Sequence, residues 1–240
     1  MAKINIILPE YPRIPHLDKS ISKMTHDDIL SDGIKYPIDC YVQEKIDGSN
    51  MGVSWKNDSA IIRNRKHILK KGYSKIRTPS KEQFKSAWNW VNDHRNDIKK
   101  ISNKLMSEIT IYGDWMLAYH SIKYDQLPDW FIAYDIWIME DKQFLSPKIV
   151  EELLSETNIS YVKPYKVILN DISDVIKWSE LKSDFIKDGI REGIVIKKSN
   201  GDYIENSYKV VNKFFEIRDN FNEKLIKNNK QYVFIFRHRN

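Results

Sequence analysis

The sequence predicts an α+β fold with largely antiparallel sheets, and three observations support this prediction. Runs of β-forming residues outnumber helical patterns along the 240-residue chain. The two kinds of pattern do not alternate regularly, which disfavours a parallel sheet with crossover helices. No internal repeat, low-complexity tract or linker divides the sequence. We therefore predict one compact domain that covers residues 1–240.

The strands are predicted from short runs rich in β-branched and aromatic residues, bounded by turn-forming residues. Residues 1–37, which precede them, contain several prolines and are expected to be irregular. Asn57-Asp58-Ser59 predicts a tight turn between the second and third strands. In chain order, strands are predicted over residues 40–43, 51–55, 60–65, 108–112, 131–138, 161–168, 193–197 and 203–211.

The helices are predicted from apolar residues that recur every three or four positions. The first such stripe covers residues 84–101, and Ser80 with Gln83 forms a capping-box pattern at its start. A second helix is predicted over 146–154, where a Ser-Pro pair marks the first turn. A third is predicted over about 171–186.

The composition is that of a basic protein with little cysteine. A total of 39 Lys and Arg residues against 33 Asp and Glu residues gives a net charge of +6. This excess fits a nucleotide or nucleic-acid partner, and it fits a plain solvated surface equally well. The single cysteine, Cys40, excludes an internal disulfide and a cysteine-based zinc site, and it suits a reducing compartment. No apolar run could span a bilayer. We expect a cytoplasmic protein, in the host cytoplasm if viral, with no membrane partner.

The motif search leaves one strong chemical candidate. The sequence contains neither a GxxxxGK[ST] phosphate loop nor a GxSxG elbow, and its six histidines are widely scattered. What remains is Lys45, within EKIDGSN at the end of an apolar strand. A lysine that is poorly solvated and close to other cations has a lowered pKa and becomes a nucleophile. An exposed lysine beside an Asp-Gly hairpin turn is the alternative.

Other segments change the balance between these two interpretations. Lys45, Gly48 and Asn50 match the pattern KxxG followed by a polar residue. Further segments match in the same order: Ile61–Arg65, Tyr112–Trp115, Phe131–Ile136, Glu192–Lys197 and Tyr208–Asn212. Together they resemble the covalent nucleotidyltransferases, which comprise ATP-dependent RNA and DNA ligases and mRNA capping enzymes. The resemblance is greatest to RNA ligases of the type-2 kind.

The resemblance implies a fold and a reaction. The fold is that of a nucleotidyltransferase, an ATP-grasp-like ligase adenylation domain in which two largely antiparallel sheets flank a nucleotide pocket, with added helices. The implied function is an ATP-dependent RNA ligase that repairs or joins ends. Lys45 would attack the α-phosphate of ATP, release pyrophosphate and carry AMP. The AMP would pass to a 5′-phosphate end, and a 3′-hydroxyl would displace it. Mg²⁺ or Mn²⁺ would neutralise the leaving group.

The resemblance also implies roles around the phosphates. Lys197 and Lys209 would contact the α-phosphate, and their charges would lower the pKa of Lys45 by repulsion. Glu192 would hold the metal ion, through water, because Mg²⁺ keeps part of its hydration shell. Asn50 would bond near the phosphate or to a metal-bound water.

Further candidates surround the base and the outer phosphates. Tyr134 would stack on adenine, and Glu44 and Ile46 would line the adenine pocket, largely through their backbone groups. Arg63 or Arg65 would hold a phosphate. Both arginines remain candidates, because alternation places them on one face of a strand.

Two departures from the family pattern concern the ribose and phosphate contacts. Asp114, which would accept a hydrogen bond from the ribose hydroxyls, stands where glutamate is usual. The last motif normally carries KxK, but Val211 occupies its second cationic position and Lys213 follows two places later. The reaction class is less affected than the details of phosphate binding, because the other lysines remain.

The chain after the last motif bears on the partner. A charged helix is expected over 216–230 and an apolar segment at 232–236 that packs back onto the domain; no C-terminal OB-fold fits there. The expected partner is RNA, or else DNA, with 5′-phosphate and 3′-hydroxyl ends, bound weakly and with strong salt dependence. An ATP-dependent DNA ligase and a catalytically silent nucleic-acid-binding module remain alternatives, and a GTP-using capping enzyme is less favoured.

Overall fold

The computed structural model describes residues 8–69, 83–118 and 120–214, and these contain ten strands and four helices. The strands are β1 (Ile38–Lys45), β2 (Ser49–Lys56), β3 (Ser59–Asn64), β4 (Ile68–Leu69), β5 (Ile109–Trp115), β6 (Phe131–Ile138), β7 (Gln143–Phe144), β8 (Tyr165–Leu169), β9 (Gly193–Asn200) and β10 (Tyr203–Val211). The helices are α1 (Ala87–Asp93), α2 (Arg95–Leu105), α3 (Pro147–Ser155) and α4 (Ile172–Ser179).

The strands form two sheets. The smaller has four strands in the order β10-β9-β1-β8, and the larger has six in the order β4-β3-β2-β5-β6-β7. Every pair of neighbouring strands is antiparallel. The prediction of an α+β fold with two largely antiparallel sheets is therefore confirmed. The prediction that residues 1–240 form one domain stays a prediction.

Each sheet has its own apolar core. Side chains of β2, β5 and β6 pack against α1, α2 and α3 in the larger core, around Trp115, Phe131 and Ile136. The smaller core lies between β1, β9 and β10 on one side and α4 on the other, and it contains the buried Cys40. Burial of these apolar faces is the main stabilising contribution to the two layers.

The first predicted helix is divided into two. Helices α1 and α2 are separated at His94, whose ring stacks on Trp90 with centroids 4.1 Å apart and whose Nδ1 lies 2.9 Å from the Trp90 carbonyl. Gln83 lies in the turn before α1, so the prediction that it belongs to a first helical turn is wrong. Ser80, the other member of the proposed capping box, lies outside the described residues.

Helix α4 ends at Ser179, seven residues earlier than predicted, since 171–186 was expected to be helical. Its start is as predicted, because the Asp171 carboxylate caps the helix by accepting hydrogen bonds from the backbone of Ser173 and Asp174. Beyond the helix, the chain turns so that Ser183 reaches a buried carboxylate of β1. A tertiary contact therefore replaces the last helical turns.

Smaller differences concern the short strands. The strands β4 and β7 were not predicted, and β8 covers Tyr165–Leu169 rather than 161–168. Tyr161 instead forms an isolated bridge to Ala133. The expected helix at 216–230 and the apolar segment at 232–236 lie outside the described residues. Within the part of the chain that is described, no helix is both long enough and apolar enough to cross a membrane.

The irregular segment of residues 8–37, which we call the N-terminal segment, contacts both sheets. The Leu8 carbonyl accepts a hydrogen bond from Arg63 of β3 at 2.5 Å. Further along, the Leu17 amide donates to the Lys209 carbonyl of β10 at 2.9 Å. The segment thereby lies along the gap between the two sheets, where the candidate site is found.

Candidate active site

A cleft of about 740 Å³ opens between the two sheets. One wall is formed by β1, β9 and β10, and the other by β2, β5 and β6, while Tyr11, Pro12 and Ile14 of the N-terminal segment close one side. A cleft of this size accommodates a ligand as large as a nucleotide. The sequence-predicted residues that line it are Glu44, Lys45, Ile46, Asn50, Arg65, Asp114, Tyr134, Lys197 and Lys209.

Lys45 stands at the end of β1, facing a carboxylate supplied by the neighbouring strand. In the register of β1 with β9, Lys45 pairs with Gly193, which places Glu192 directly beside it. The Lys45 Nζ donates to Glu192 Oε1 at 2.5 Å. The Glu192 side chain is buried, and that of Lys45 is about one-quarter exposed at 24%. The structure thus brings together two residues that are 147 positions apart in the sequence.

The charges around Lys45 differ from those expected. Burial lowers the pKa of the Lys45 ammonium, but the Glu192 and Asp47 carboxylates outweigh burial and raise the pKa above its usual value. Burial raises the pKa of Glu192 to about 7 and that of Asp114 to about 6. The prediction that surrounding cations lower the pKa of Lys45 is therefore wrong. Lys45 is held as a charged ammonium among carboxylates.

The two predicted phosphate lysines are already paired. Lys197 is fully buried, and its Nζ donates to Asp135 Oδ1 at 2.7 Å and to the Tyr134 carbonyl at 3.2 Å. Burial lowers the pKa of Lys197 even though Asp135 opposes the shift. Lys209 Nζ donates to Asp28 Oδ1 at 2.7 Å. Both ammonium groups line the cleft, each with its own counter-ion.

Asn50, Asp114 and Tyr134 are brought together as a hydrogen-bonded group on the larger sheet. Asn50 of β2 pairs with Asp114 of β5, and the Asn50 Nδ2 donates to the Tyr134 hydroxyl at 2.7 Å. The Tyr134 hydroxyl lies 3.3 Å from Asp114 Oδ1. The other Asp114 oxygen accepts from the Gly48 amide at 3.3 Å. A side chain at Gly48 would come within 2.7 Å of the Asp114 Cβ, so this corner requires glycine.

The structure distinguishes the two arginines. Arg63 is buried, and its guanidinium donates to the carbonyls of Leu8, Asn64 and Arg65. Arg65 lies beyond the end of β3, which stops at Asn64, and it lines the cleft. The expectation that strand alternation puts both arginines on one face is wrong, because the strand ends between them. Arg63 supports the N-terminal segment, and Arg65 is available to a ligand.

Glu44 and Ile46 have their side chains fixed in the protein interior. The Glu44 carboxylate accepts hydrogen bonds from the Ser183 hydroxyl at 2.5 Å and from the Asp184 amide at 2.7 Å. Ile46 packs in an apolar cluster with Met116 and neighbouring residues. The expectation that these two residues line an adenine pocket, largely through their backbone groups, stays a prediction.

Sequence reasoning missed several polar residues of the cleft, of which Gln43 is the most informative. Gln43 lies two residues before Lys45 on the same face of β1, so strand alternation could have indicated it. Its Nε2 donates to the Val162 carbonyl at 2.8 Å, which fixes the amide orientation, since a carbonyl only accepts. The Gln43 Oε1 is buried and has no hydrogen-bond partner among the described residues.

A second missed group lies next to the Asp-Gly corner. The Ser49 hydroxyl lies 2.8 Å from Gln83 Oε1 and 2.9 Å from His120 Nε2. Asp47 Oδ2 accepts the backbone amide of Ser121 at 2.7 Å, which ties this loop to the corner. Burial lowers the pKa of His120, so its neutral form is favoured. The motifs gave no signal for these contacts, because the partners are distant in sequence.

The residues present suit a metal ion bound together with a nucleotide better than one bound by protein alone. No cluster of three or more His, Cys, Asp or Glu side chains among the described residues has the arrangement of a metal site. The buried Glu192 Oε2, however, has no hydrogen-bond partner among the residues that the structure describes. Mg²⁺ is commonly held by one or two carboxylates with substrate phosphates. Glu192 fits that pattern.

Comparison with known proteins gives one family. The sequence model described as RNA ligase matches residues 38–213, which is most of the chain. The match begins at β1 and ends just past β10, so it includes both walls of the cleft. No curated protein sequence matches the chain.

Solved structures of an RNA ligase from Naegleria gruberi share the fold. An apo mutant and a mutant with ATP and Mn each have a TM-score of 0.57 and 19% sequence identity, over 73% of this chain and 50% of theirs. A mutant with AMP and Mn has a TM-score of 0.54 and 17% identity, over 85% of this chain and 62% of its own. The chain thus spans about half the length of the first two structures.

Proposed function

The chain belongs to the RNA ligase family, and from this premise we propose that it is an ATP-dependent RNA ligase acting through a lysyl-AMP intermediate. In this proposal it joins 5′-phosphate to 3′-hydroxyl polynucleotide ends, as in RNA repair, with ATP and Mg²⁺ or Mn²⁺ as cofactors. The domain is proposed to be of the nucleotidyltransferase type. The observation that carries the proposal is the amine of Lys45, in a nucleotide-sized cleft and hydrogen-bonded to Glu192.

The first step transfers AMP to the protein. The Lys45 nitrogen forms a bond to the α-phosphorus while the bond from that phosphorus to the pyrophosphate oxygen breaks. Lys45 must lose a proton, and Glu192 Oε1 at 2.5 Å is the acceptor we assign to it. Because this carboxylate is in direct contact with the amine, the proton can pass to it as the nitrogen–phosphorus bond forms.

Other side chains bind and orient the nucleotide. Tyr134 would stack on the base, and Asp114 would accept from the ribose hydroxyls, in line with their shared hydrogen bond on the larger sheet. Lys197, Lys209 and Arg65 would face the phosphates. A divalent ion held at Glu192 would neutralise the pyrophosphate leaving group.

Two further transfers complete the proposed reaction. The phosphate at the 5′ end attacks the phosphorus of lysyl-AMP, which breaks the nitrogen–phosphorus bond and frees Lys45. The 3′-hydroxyl then attacks the phosphate of the activated end and releases AMP. Arg65 and Lys66, which line the cleft beyond β3, are the cations we assign to the incoming end.

The first step can be tested with α-labelled nucleotides. The protein is incubated with Mg²⁺ and labelled ATP or GTP, and the label that survives denaturation is measured. We expect label from ATP, little from GTP, and none in Lys45→Ala. Lys148→Ala is the matched control, because Lys148 is an exposed lysine on α3 with a side chain 68% accessible. Absence of label in a folded wild-type protein would contradict the proposed enzyme and favour a silent binding module.

The substrate is then tested by sealing. Nicked RNA, nicked DNA and single-stranded RNA, each with a 5′-phosphate and a 3′-hydroxyl, are compared at equal concentration. We expect the largest sealing rate with an RNA substrate. Preferential sealing of nicked DNA would favour the DNA ligase alternative, while label without sealing of any substrate would contradict a ligase.

A further inference from the structure

We propose that Asp28 is a positioning residue for Lys209, holding its ammonium charged and fixed on the wall of the cleft where nucleotide phosphates enter. Asp28 belongs to the N-terminal segment, before the matched family region begins at residue 38. This inference rests on the proposed function, because it assigns to Lys209 a phosphate contact.

The geometry of Asp28 fixes its carboxylate from two sides. Oδ1 accepts from Lys209 Nζ at 2.7 Å. Oδ2 accepts from the Thr25 amide at 2.9 Å and from the Thr25 hydroxyl at 3.0 Å. Both charged side chains are about one-fifth exposed, at 20% and 21%. The carboxylate is therefore held in its own loop, and it restrains the Lys209 ammonium.

The backbone fastens the N-terminal segment to β10 at the same position. The Lys209 amide donates to the Pro15 carbonyl at 2.9 Å, and the Lys209 carbonyl accepts from the Leu17 amide at 2.9 Å. Two residues further on, the Val211 amide donates to the Ser22 hydroxyl at 2.9 Å. Lys209 is thus held through its backbone and its side chain by the same segment.

His16 lies between Ser22 and Asp28 and contacts both side chains. The Ser22 oxygen accepts from the Val211 amide, so its own hydrogen is available to His16 Nδ1, 2.5 Å away. Neutral His16 then carries its proton on Nε2, which lies 3.2 Å from Asp28 Oδ1. That contact is electrostatic, since Nε2 has no aligned hydrogen-bond partner among the described residues. Burial lowers the pKa of His16 and favours the neutral ring.

The charges that face Lys209 explain why a carboxylate is needed there. Burial, together with Lys45 from β1 and Arg65 from beyond β3, lowers the pKa of Lys209, and Asp28 opposes the shift. His16 adds no charge in its neutral form. An opposite charge in direct contact raises a lysine pKa by about one to three units. Without Asp28, Lys209 would lose its proton, and its hold on phosphate, at a lower pH.

The test compares adenylylation by Asp28→Asn and wild type from pH 7 to pH 9.5. In Asp28→Asn we expect the alkaline fall of kcat/KM for ATP to occur about one pH unit lower than in wild type, because Lys209 loses its proton at a lower pH. The KM for ATP should rise about tenfold at the alkaline end, with the rate at saturating ATP little changed. Deprotonation of Lys45 raises the adenylylation rate with pH in wild type and in Asp28→Asn alike. It therefore does not contribute to the difference between the two pH profiles.

Three variants separate positioning from a structural role. Asp27→Asn, the neighbouring change at a side chain that is 78% exposed, should match wild type. Asp28→Glu should restore the alkaline limb. In a Lys209→Gln background, Asp28→Asn should have no further effect on the KM for ATP, as a double-mutant cycle requires for a direct pair.

The outcomes are distinguishable. If wild type takes no label from ATP, the proposed function fails. If wild type takes label and Asp28→Asn keeps its KM and its alkaline limb, the positioning role alone is overturned. It is also overturned if Asp28→Asn lowers the KM, since Asp28 would then compete with phosphate. A drop in melting temperature with an unchanged pH profile would assign Asp28 a merely structural role.

Discussion

At the scale of single residues, we expect the buried carbonyl oxygen of Gln43 to distinguish between nucleotide bases. A buried acceptor without a partner is unfavourable. A ligand that supplies a donor there forms a hydrogen bond without breaking an existing one in the protein. The exocyclic amine of adenine is such a donor, whereas the corresponding position of guanine carries an acceptor. Gln43 Oε1 therefore favours ATP over GTP if the base reaches it.

This assignment predicts the behaviour of Gln43→Met, which removes the acceptor and keeps a similar volume. We expect wild type to prefer ATP over purine riboside triphosphate, which lacks the amine, by about tenfold in kcat/KM for adenylylation. The variant should use the two nucleotides almost equally. The ratio is the informative quantity, since losing the bond to the Val162 carbonyl could weaken the fold and slow both reactions. An unchanged ratio in the variant would show that Gln43 does not contact the base.

The residues of the cleft were predictable to different degrees. The resemblance to covalent nucleotidyltransferases predicted that Lys45, Asn50 and Tyr134 belong to one site, because the motifs that contain them occur in the order of that family, and all three line the cleft. The carboxylates around Lys45 could not be predicted in the same way. Glu192 is 147 residues from Lys45 in the chain, and its effect on the pKa of Lys45 depends on distance and burial. Neither the distance between the two side chains nor their burial can be read from sequence spacing.

At the scale of elements, the close approach of β9 and β10 positions Lys45, the proposed nucleophile. Gly193 pairs with Lys45 on one side and with Val211 on the other. A side chain at Gly193 would overlap the Val210 carbonyl oxygen and would lie 2.9 Å from Val211 Cα. Because these are backbone atoms, they cannot move aside as a flexible side chain could. The strands would have to separate.

Gly193→Ala is therefore expected to be damaging in two measurable ways. The free energy of unfolding should fall by about 1–3 kcal/mol or more, the usual cost of overpacking a well-packed interior. Label transfer from ATP should fall as well, since β1 and Glu192 move with the strand. Ser199→Ala is the matched control on β9, because the Ser199 hydroxyl is buried without a hydrogen-bond partner in the described part of the chain. If denaturant unfolding shows equal stability for Gly193→Ala and the control, the close approach is not required.

The same scale shows why most strands were predicted and why helix α4 was predicted too long. Strands β6 and β10 match their predicted bounds, because alternating apolar residues and turn signals are local properties. Asn57 and Asp58 both have positive φ, of 48° and 55°, as a tight turn between β2 and β3 requires. Helix α4, by contrast, ends early because the following residues bond to Glu44, more than 130 positions away. Contacts of that range override local periodicity.

At the scale of the whole molecule, a cleft lies between two sheets with separate cores, and the N-terminal segment contacts both sheets. The order of the motifs indicated that strands from both halves of the chain meet at one site. It did not indicate that Lys197 and Lys209 are each paired with a carboxylate. A ligand phosphate at Lys197 must therefore compete with Asp135, whereas Asp28 is proposed to hold Lys209 in place for the phosphate. This competition favours polyanionic ligands that make several contacts at once.

The net charge of +6 is the whole-molecule property from which polynucleotide binding can be predicted. Cations that contact phosphates release counter-ions, so binding weakens steeply with salt, and about three contacts to a single strand would weaken it roughly 20-fold over a fourfold increase in salt. We expect the KM for the RNA substrate in sealing to rise by about this factor between 50 and 200 mM salt. Adenylylation in the same buffers is the control. It should change much less, because Lys45 and Lys197 act from partly or fully buried positions that salt screens weakly. A KM for RNA that stays flat while adenylylation proceeds normally would mean that the basic surface does not hold the substrate.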